Sequence, residues 1–320
     1  MFCVGAINAA SPTPLNSNGC FDAGSARRLA KRWIDIELDG VLILGSMGEG
    51  LRLPDDVRNA FVETALTEAG DRIMIFASAA DLSRERMRER ALRYAGMGAH
   101  CIVLCLPPAT AVPEAIAAVK TVADACPVPC CYYEVPANTG TALMFDEIAD
   151  VLSHENIKAM KDSSNNALLS QALSAGGPRL YGVPILDGVE YRTAYSRLLG
   201  YDGVMHGGGV LTARRVRAIW DAAGEGRYDE ALALDRENSL FLGTVYNRVS
   251  RPLQNVIGQK YALRLLGVLD CEAVTLDQVL DDPSRDRIAK AVEESRRWLK
   301  SQDESAGRRT PLDLCDRHYR

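Results

Sequence analysis

Three short segments carry residues suited to carbonyl chemistry. They are Gly45-Ser46-Met47-Gly48-Glu49-Gly50, Tyr133-Glu134-Val135-Pro136-Ala137-Asn138-Thr139-Gly140 and Lys161-Asp162-Ser163-Ser164. Each directly follows a short run that reads as a strand, at 41–44, 129–132 and 157–160. A lysine at the end of an apolar run is unusual, because burying an ammonium is expensive. Burial favours the neutral amine, which is a nucleophile for a carbonyl carbon. A tyrosine nearby can move protons. Glycines let backbone amides approach an anion such as a carboxylate, and Ser46 adds a hydroxyl. Taken singly, each segment has a plainer reading: a Gly-rich turn, a core tyrosine with a satisfied hydroxyl, a salt-bridged strand-end lysine.

The elements that must position these segments follow a regular pattern. Short runs, apolar on both alternations, lie at 41–44, 72–77, 101–106, 129–135, 157–160, 179–183 and 202–206, and a run near Val4–Asn8 completes eight. That is how strands buried on both faces read. Between them lie amphipathic helical patterns, such as Leu29, Trp33 and Ile36, or Val57, Phe61 and Ala65. Pro54-Asp55-Asp56 and Pro113-Glu114 are helix starts, with proline in the first turn and acids at the positive end of the dipole. The alternation predicts a (β/α)₈ TIM barrel over 1–225, in which function sits on loops at the C-terminal strand ends. Beyond about residue 226 the strands stop. Helical patterns at 228–248, 252–267 and 284–301 predict a C-terminal helical extension over 226–301, and 302–320 reads as a polar tail.

Composition narrows the class. The 320 residues are 47% hydrophobic and 25% charged with a net charge of −5, an ordinary globular balance with no basic face for nucleic acid or an anionic membrane. No apolar run spans a bilayer and the N-terminus lacks a basic leader, so a cytoplasmic protein is expected. The nine cysteines are scattered, several within apolar runs, and read as small core residues. Cys126 and Cys130-Cys131 have no matching partner pair and the four histidines are isolated, so no metal is expected.

Together, and in this order, the three segments resemble the dihydrodipicolinate synthase/N-acetylneuraminate lyase family. Its members show a G-[ST]-T-G-E loop, a Y-N-x-P strand end and a K-[DE]-x-[ST] strand end. The resemblance runs from about residue 4 to 300 and includes Gly188-Val189-Glu190 and Gly203-Val204-Met205. It implies a class I aldolase with no cofactor, in which Lys161 forms a Schiff base with pyruvate or another 2-keto acid and an aldehyde is the second partner. It implies that Ser46 and the Met47 amide hold the keto acid's carboxylate and that Tyr133 shuttles protons. Gly45, Gly48 and Glu49 would shape the loop, the Met205 carbonyl would face the site, and Glu190, Asn138 and Ser163 would meet the substrate. The resemblance also implies a homo-oligomer, a dimer or tetramer.

The chain departs from the synthase pattern at several points. Met47 stands where threonine is usual, Glu134 where asparagine follows the tyrosine, and Asn138 where the synthase arginine for the second carboxylate would fall. The loop Leu106-Pro107-Pro108-Ala109-Thr110 lacks the synthase tyrosine. These losses favour an aldolase for a 2-keto-3-deoxy sugar acid over 4-hydroxy-tetrahydrodipicolinate synthase or a keto-acid dehydratase. They predict a poor synthase unless another arginine, such as Arg192, reaches the pocket. A barrel that binds keto acids without turnover is the reading of another class, and the joint presence of Lys161 and Tyr133 argues against it. A phosphate-binding barrel has only Gly207-Gly208-Gly209 to offer as a cradle.

Overall fold

The computed structural model describes residues 2–176, 182–246 and 253–303. Strands and helices alternate: β1 (Ile7–Ala10), α1 (Ala23–Asp35), β2 (Gly40–Ile43), α2 (Asp55–Ala69), β3 (Met74–Ser78), α3 (Arg84–Met97), β4 (Cys101–Leu104) and α4 (Val112–Ala125) form the first half. β5 (Cys130–Glu134), the short α5 (Pro136–Thr139), α6 (Phe145–Leu152), β6 (Ile157–Asp162), α7 (Ala167–Gly176), β7 (Ile185–Asp187), α8 (Thr193–Leu199), β8 (Gly203–His206) and α9 (Gly209–Gly224) follow. The strands are parallel and close in sequence order, β1 through β8 and back to β1, so the expected TIM barrel is what the chain forms.

Helix starts follow their sequence signals. The Asp22 side chain accepts from the Ser25 amide at 3.0 Å and caps α1, Ser83 caps α3, and Pro113 lies in the first turn of α4. The helices bury large side chains between themselves and the barrel. Trp33 of α1 and Phe61 of α2 are fully buried, with ring centroids 6.2 Å apart, and each contributes roughly 1.5–3 kcal/mol by leaving water.

Two boundaries differ from expectation. The seventh strand is Ile185–Asp187 and not 179–183, of which 179–181 lie outside the described residues. It escapes an apolar-pattern reading because it is three residues long and ends in a buried aspartate. The sixth strand continues through Lys161 and Asp162, so the lysine is part of the barrel wall and not of the loop after it.

The extension is helical as expected: α10 (Tyr228–Val245), α11 (Gln254–Leu265) and α12 (Asp282–Asp303). The greater part of the expected polar tail, 304–320, lies outside the described residues.

Candidate active site

Register fixes which side chains face the barrel interior. Tyr133 pairs with Lys161, Lys161 with Leu186, and Leu186 with Gly203. Paired residues share a face and faces alternate along each strand. Tyr133, Lys161 and Met205 therefore point inward, while Tyr132, Glu134, Asp162, Asp187 and His206 point toward the helices. Lys161 is 4% exposed, and its Nζ lies 4.4 Å from the centroid of the Tyr133 ring, within cation–π range. No ion pair to Lys161 is present among the described residues.

Gly188 makes room for this lysine. A Cβ there would fall 2.0 Å from the Ser163 hydroxyl and 2.9 Å from Lys161 Cε, while the Gly188 amide donates to the Asp162 carbonyl at 2.7 Å. Ser163 itself is half-buried, and its amide donates to the Glu134 carbonyl at 2.9 Å. Ser163 is thus held beside the lysine, at the junction of β5, β6 and β7.

The glycine-rich loop after β2 is strained and pinned. Leu44 and Glu49 both have positive φ, 60° and 56°, which non-glycine residues rarely adopt. A Cβ at Gly50 would sit 1.7 Å from the Leu44 carbonyl oxygen, so only glycine fits the return of the chain. Thr13 donates to the Gly48 carbonyl at 2.6 Å. Glu49 is fully buried and pairs with Lys260 of α11 at 2.6 Å, and its other oxygen accepts from the Thr275 amide at 2.6 Å. Removing one partner of such a pair costs about 3–5 kcal/mol, because the other charge is left buried. Glu49 is therefore the clasp between the site loop and the helical extension.

The extension reaches the site at further points. Asn255 donates to the Met47 sulfur at 3.2 Å, and Gln259 donates to the Gly207 carbonyl at 2.5 Å. Leu253, Asn255 and Val256 line the same cavity as Tyr133, Ser46 and Asn138. That cavity holds about 680 Å³, within the usual range for a small-molecule site. Ser46 and Asn138 are exposed to it, and the Asn138 amide donates to the Ser46 hydroxyl, joining the loops after β2 and β5.

Glu190 is held and not free. Tyr246 donates to both carboxylate oxygens at 2.9 Å, and the Gly208 amide donates to one at 2.5 Å. Burial pushes the Glu190 carboxyl up, opposed by those hydrogen bonds and by the positive charge of Lys161. Arg192 does not reach the pocket. Its guanidinium donates to Asp187 at 2.8 Å and to the Ser170 hydroxyl at 3.1 Å on the outer face of the barrel. Asp162, the residue after the lysine, belongs to the same outer layer, where it accepts from Tyr201 at 2.6 Å and from the Ser164 amide at 2.9 Å. This layer fixes the ends of β6 and β7, and hence Lys161, from behind.

Glu134 and Tyr132 pair on the outer face as well. Both are buried, Tyr132 donates to Glu134, and the Leu143 amide donates to the other carboxylate oxygen at 3.1 Å. Burial pushes the Glu134 carboxyl up.

Sequence reasoning missed Tyr246, Leu253, Asn255, Gln259 and Lys260. All come from the extension, where no motif marks them.

Against this geometry the comparisons are direct. The model of the dihydrodipicolinate synthetase family matches residues 4–279. The chain belongs to that family. A relative from Acidothermus cellulolyticus, a 4-hydroxy-tetrahydrodipicolinate synthase, is 30% identical over 82% of this chain and 83% of its own length. One of the same name from Xanthomonas campestris is 28% identical over 72% and 76%. Among solved structures, dihydrodipicolinate synthase DapA-2 from Bacillus anthracis superposes with a TM-score of 0.84 at 18% identity, covering 92% of this chain and 99% of its own. CdNal from Clostridium difficile, solved with mannosamine, gives 0.83 at 18% identity, covering 92% and 100%. Family membership makes this chain a Schiff-base lyase of carbon–carbon bonds, as its Lys161–Tyr133 pair suggested.

His206 gives the fold a distinct acid limit. It is 1% exposed, and neither ring nitrogen has a hydrogen-bond partner among the described residues. Burial, with the nearby charges of Lys161 and Arg192, pushes its pKa down to about 3. A depressed histidine pKa stabilises the fold above the unfolded value of about 6.5, and that contribution is lost as pH falls from there toward 3. The raised buried carboxyls, Glu134 and Glu190, act in the opposite sense. Relative to His206→Phe, the wild-type chain should lose about 1.4 kcal/mol of stability per pH unit below 6.5. Urea midpoints at pH 7 and pH 5 measure this, and parallel shifts in the two proteins would reject it.

Proposed function

We propose that the chain catalyses reversible aldol cleavage and condensation of a 2-keto-3-deoxy acid, with pyruvate as the keto acid released or consumed. The placement of Lys161 Nζ against the Tyr133 ring, on paired inward positions, is the observation that carries the reading. The Lys161 amine adds to the ketone carbon, and loss of water leaves an iminium. The iminium draws the electron pair of the breaking C–C bond into an enamine, and the hydroxyl proton of the substrate departs as the aldehyde forms. Protonation of the enamine and addition of water then release the keto acid and restore the amine. Tyr133 carries the protons at the carbinolamine and aldol steps. Ser46 and the Met47 amide hold the keto acid's carboxylate, with Gly45 and Gly48 allowing close approach. The Met205 carbonyl faces the bound keto acid. Ser163, Asn138 and Glu190 border the remainder of the substrate. The C-terminal helices form part of the site through Asn255 and Gln259, and the working unit is a homo-oligomer.

A second reading, 4-hydroxy-tetrahydrodipicolinate synthase, is favoured by the names of the relatives. Against it, Met47 brings no hydroxyl, and Asn138, at the place of the synthase arginine, spends its amide on Ser46. A side-by-side assay separates them: cleavage of a panel of 2-keto-3-deoxy sugar acids, and coupled condensation of pyruvate with aspartate semialdehyde. Cleavage of a sugar acid with slow condensation is expected. Efficient condensation with no cleavage of any sugar acid would reverse the order of the two readings.

A further inference from the structure

We infer that Arg52 seats an anionic group on the aldehyde partner, so that this site favours aldehydes carrying a carboxylate or phosphate at the end away from the carbonyl. The inference deepens the proposed aldol reading and rests on it. Arg52 ends the short 3-10 turn Gly50–Arg52 that continues the glycine-rich loop, and it lines the cavity that holds Tyr133 and Ser46. Its side chain is exposed, and no ion pair to it is present among the described residues. Asp55, three positions on, and Asp81 are engaged elsewhere. Asp55 pairs with Arg90 at 3.0 Å and lies 4.0 Å from Arg58. Asp81 pairs with Arg90 and with Arg86.

The remainder of the lining supplies no competing charge. Among the described residues, Glu49 is the one carboxylate lining the cavity, and it is paired with Lys260. Ser78, Asn138, Thr139 and Asn255 are neutral. The amine of Lys161 is consumed by the keto carbon when the Schiff base forms. Among the described lining residues, Arg52 is then the cation left facing the cavity, and a planar guanidinium is shaped for two-point contact with a carboxylate or phosphate. The keto acid's own carboxylate is met by the loop at Ser46, which leaves Arg52 for the other reactant.

The test compares condensation of pyruvate with succinic semialdehyde, glyceraldehyde 3-phosphate and uncharged glyceraldehyde, in the wild type, Arg52→Ala and Arg52→Lys. The ratio of kcat/KM for an anionic aldehyde over the neutral one should exceed unity in the wild type. It should fall roughly tenfold or more in Arg52→Ala, mainly through KM, with partial recovery in Arg52→Lys. A preference for the carboxylate or for the phosphate identifies which anion is used, and either supports the inference. Trapping of pyruvate by borohydride on the same preparations keeps the two readings apart. No trapping in the wild type would overturn the proposed aldol function. Trapping with a ratio unchanged by Arg52→Ala would overturn the role of Arg52 alone.

Discussion

Borohydride reduction in the presence of pyruvate should add a stable mass to the peptide holding Lys161, and Lys161→Arg should abolish turnover. The guanidinium stays protonated at any working pH and cannot attack a ketone. Loss of the covalent route should reduce the rate on the order of 10⁴-fold or more, to background. The same residue should show an opposite effect on stability. Lys161 is almost fully buried and no ion pair to it is present among the described residues, so the fold carries the cost of an amine that only chemistry uses. Lys161→Met keeps the volume and removes that cost. Its thermal midpoint should equal or exceed that of the wild type while activity is lost. A labelled peptide elsewhere in the chain, or no label with any 2-keto acid tried, would remove Lys161 from the mechanism. A clear fall in thermal midpoint for Lys161→Met would show that the amine is structural.

The barrel was legible because its signals are local. Strands buried on both faces appear as short apolar runs, and α1 to α4 begin at an aspartate, a proline or a serine. The pairing of Lys161 with Tyr133 was legible because both end such runs. What stayed hidden is non-local. Glu49 and Lys260 are 211 positions apart and make one buried pair, and nothing around Lys260 marks it as a partner. Asn255 and Gln259 meet the loops after β2 and β8 only because α11 folds back onto the barrel. Arg192 looked available for substrate, yet the alternation of β7 turns Asp187 outward and the arginine follows it. The displaced seventh strand has the same cause: a strand ending in a buried aspartate is hidden from an apolar count when its partners, Arg192 and Ser196, lie on the next helix and its approach.

The adjacent tyrosines should separate function from stability. Tyr133→Phe should slow turnover roughly 10²-fold or more, the usual size for loss of a positioned acid–base group, and leave the thermal midpoint near that of the wild type. Its ring still packs at the inward position beside Lys161, and no hydrogen bond from its hydroxyl is among those described for the fold. Tyr132→Phe should do the reverse. Tyr132 is fully buried on the outer face, and its hydroxyl donates to Glu134, which is 1% exposed. Without that donor one oxygen of a buried carboxyl goes unmet, at about 1–3 kcal/mol. The Leu143 amide still holds the other oxygen. The midpoint should drop by several degrees, while kcat stays within a few-fold, because the outer pair touches neither the cavity nor the lysine. Steady-state kinetics and thermal unfolding of both variants are sufficient to decide. If Tyr132→Phe loses the hundredfold and Tyr133→Phe does not, the proton shuttle is the wrong tyrosine, and the register that points Tyr133 inward would no longer explain catalysis.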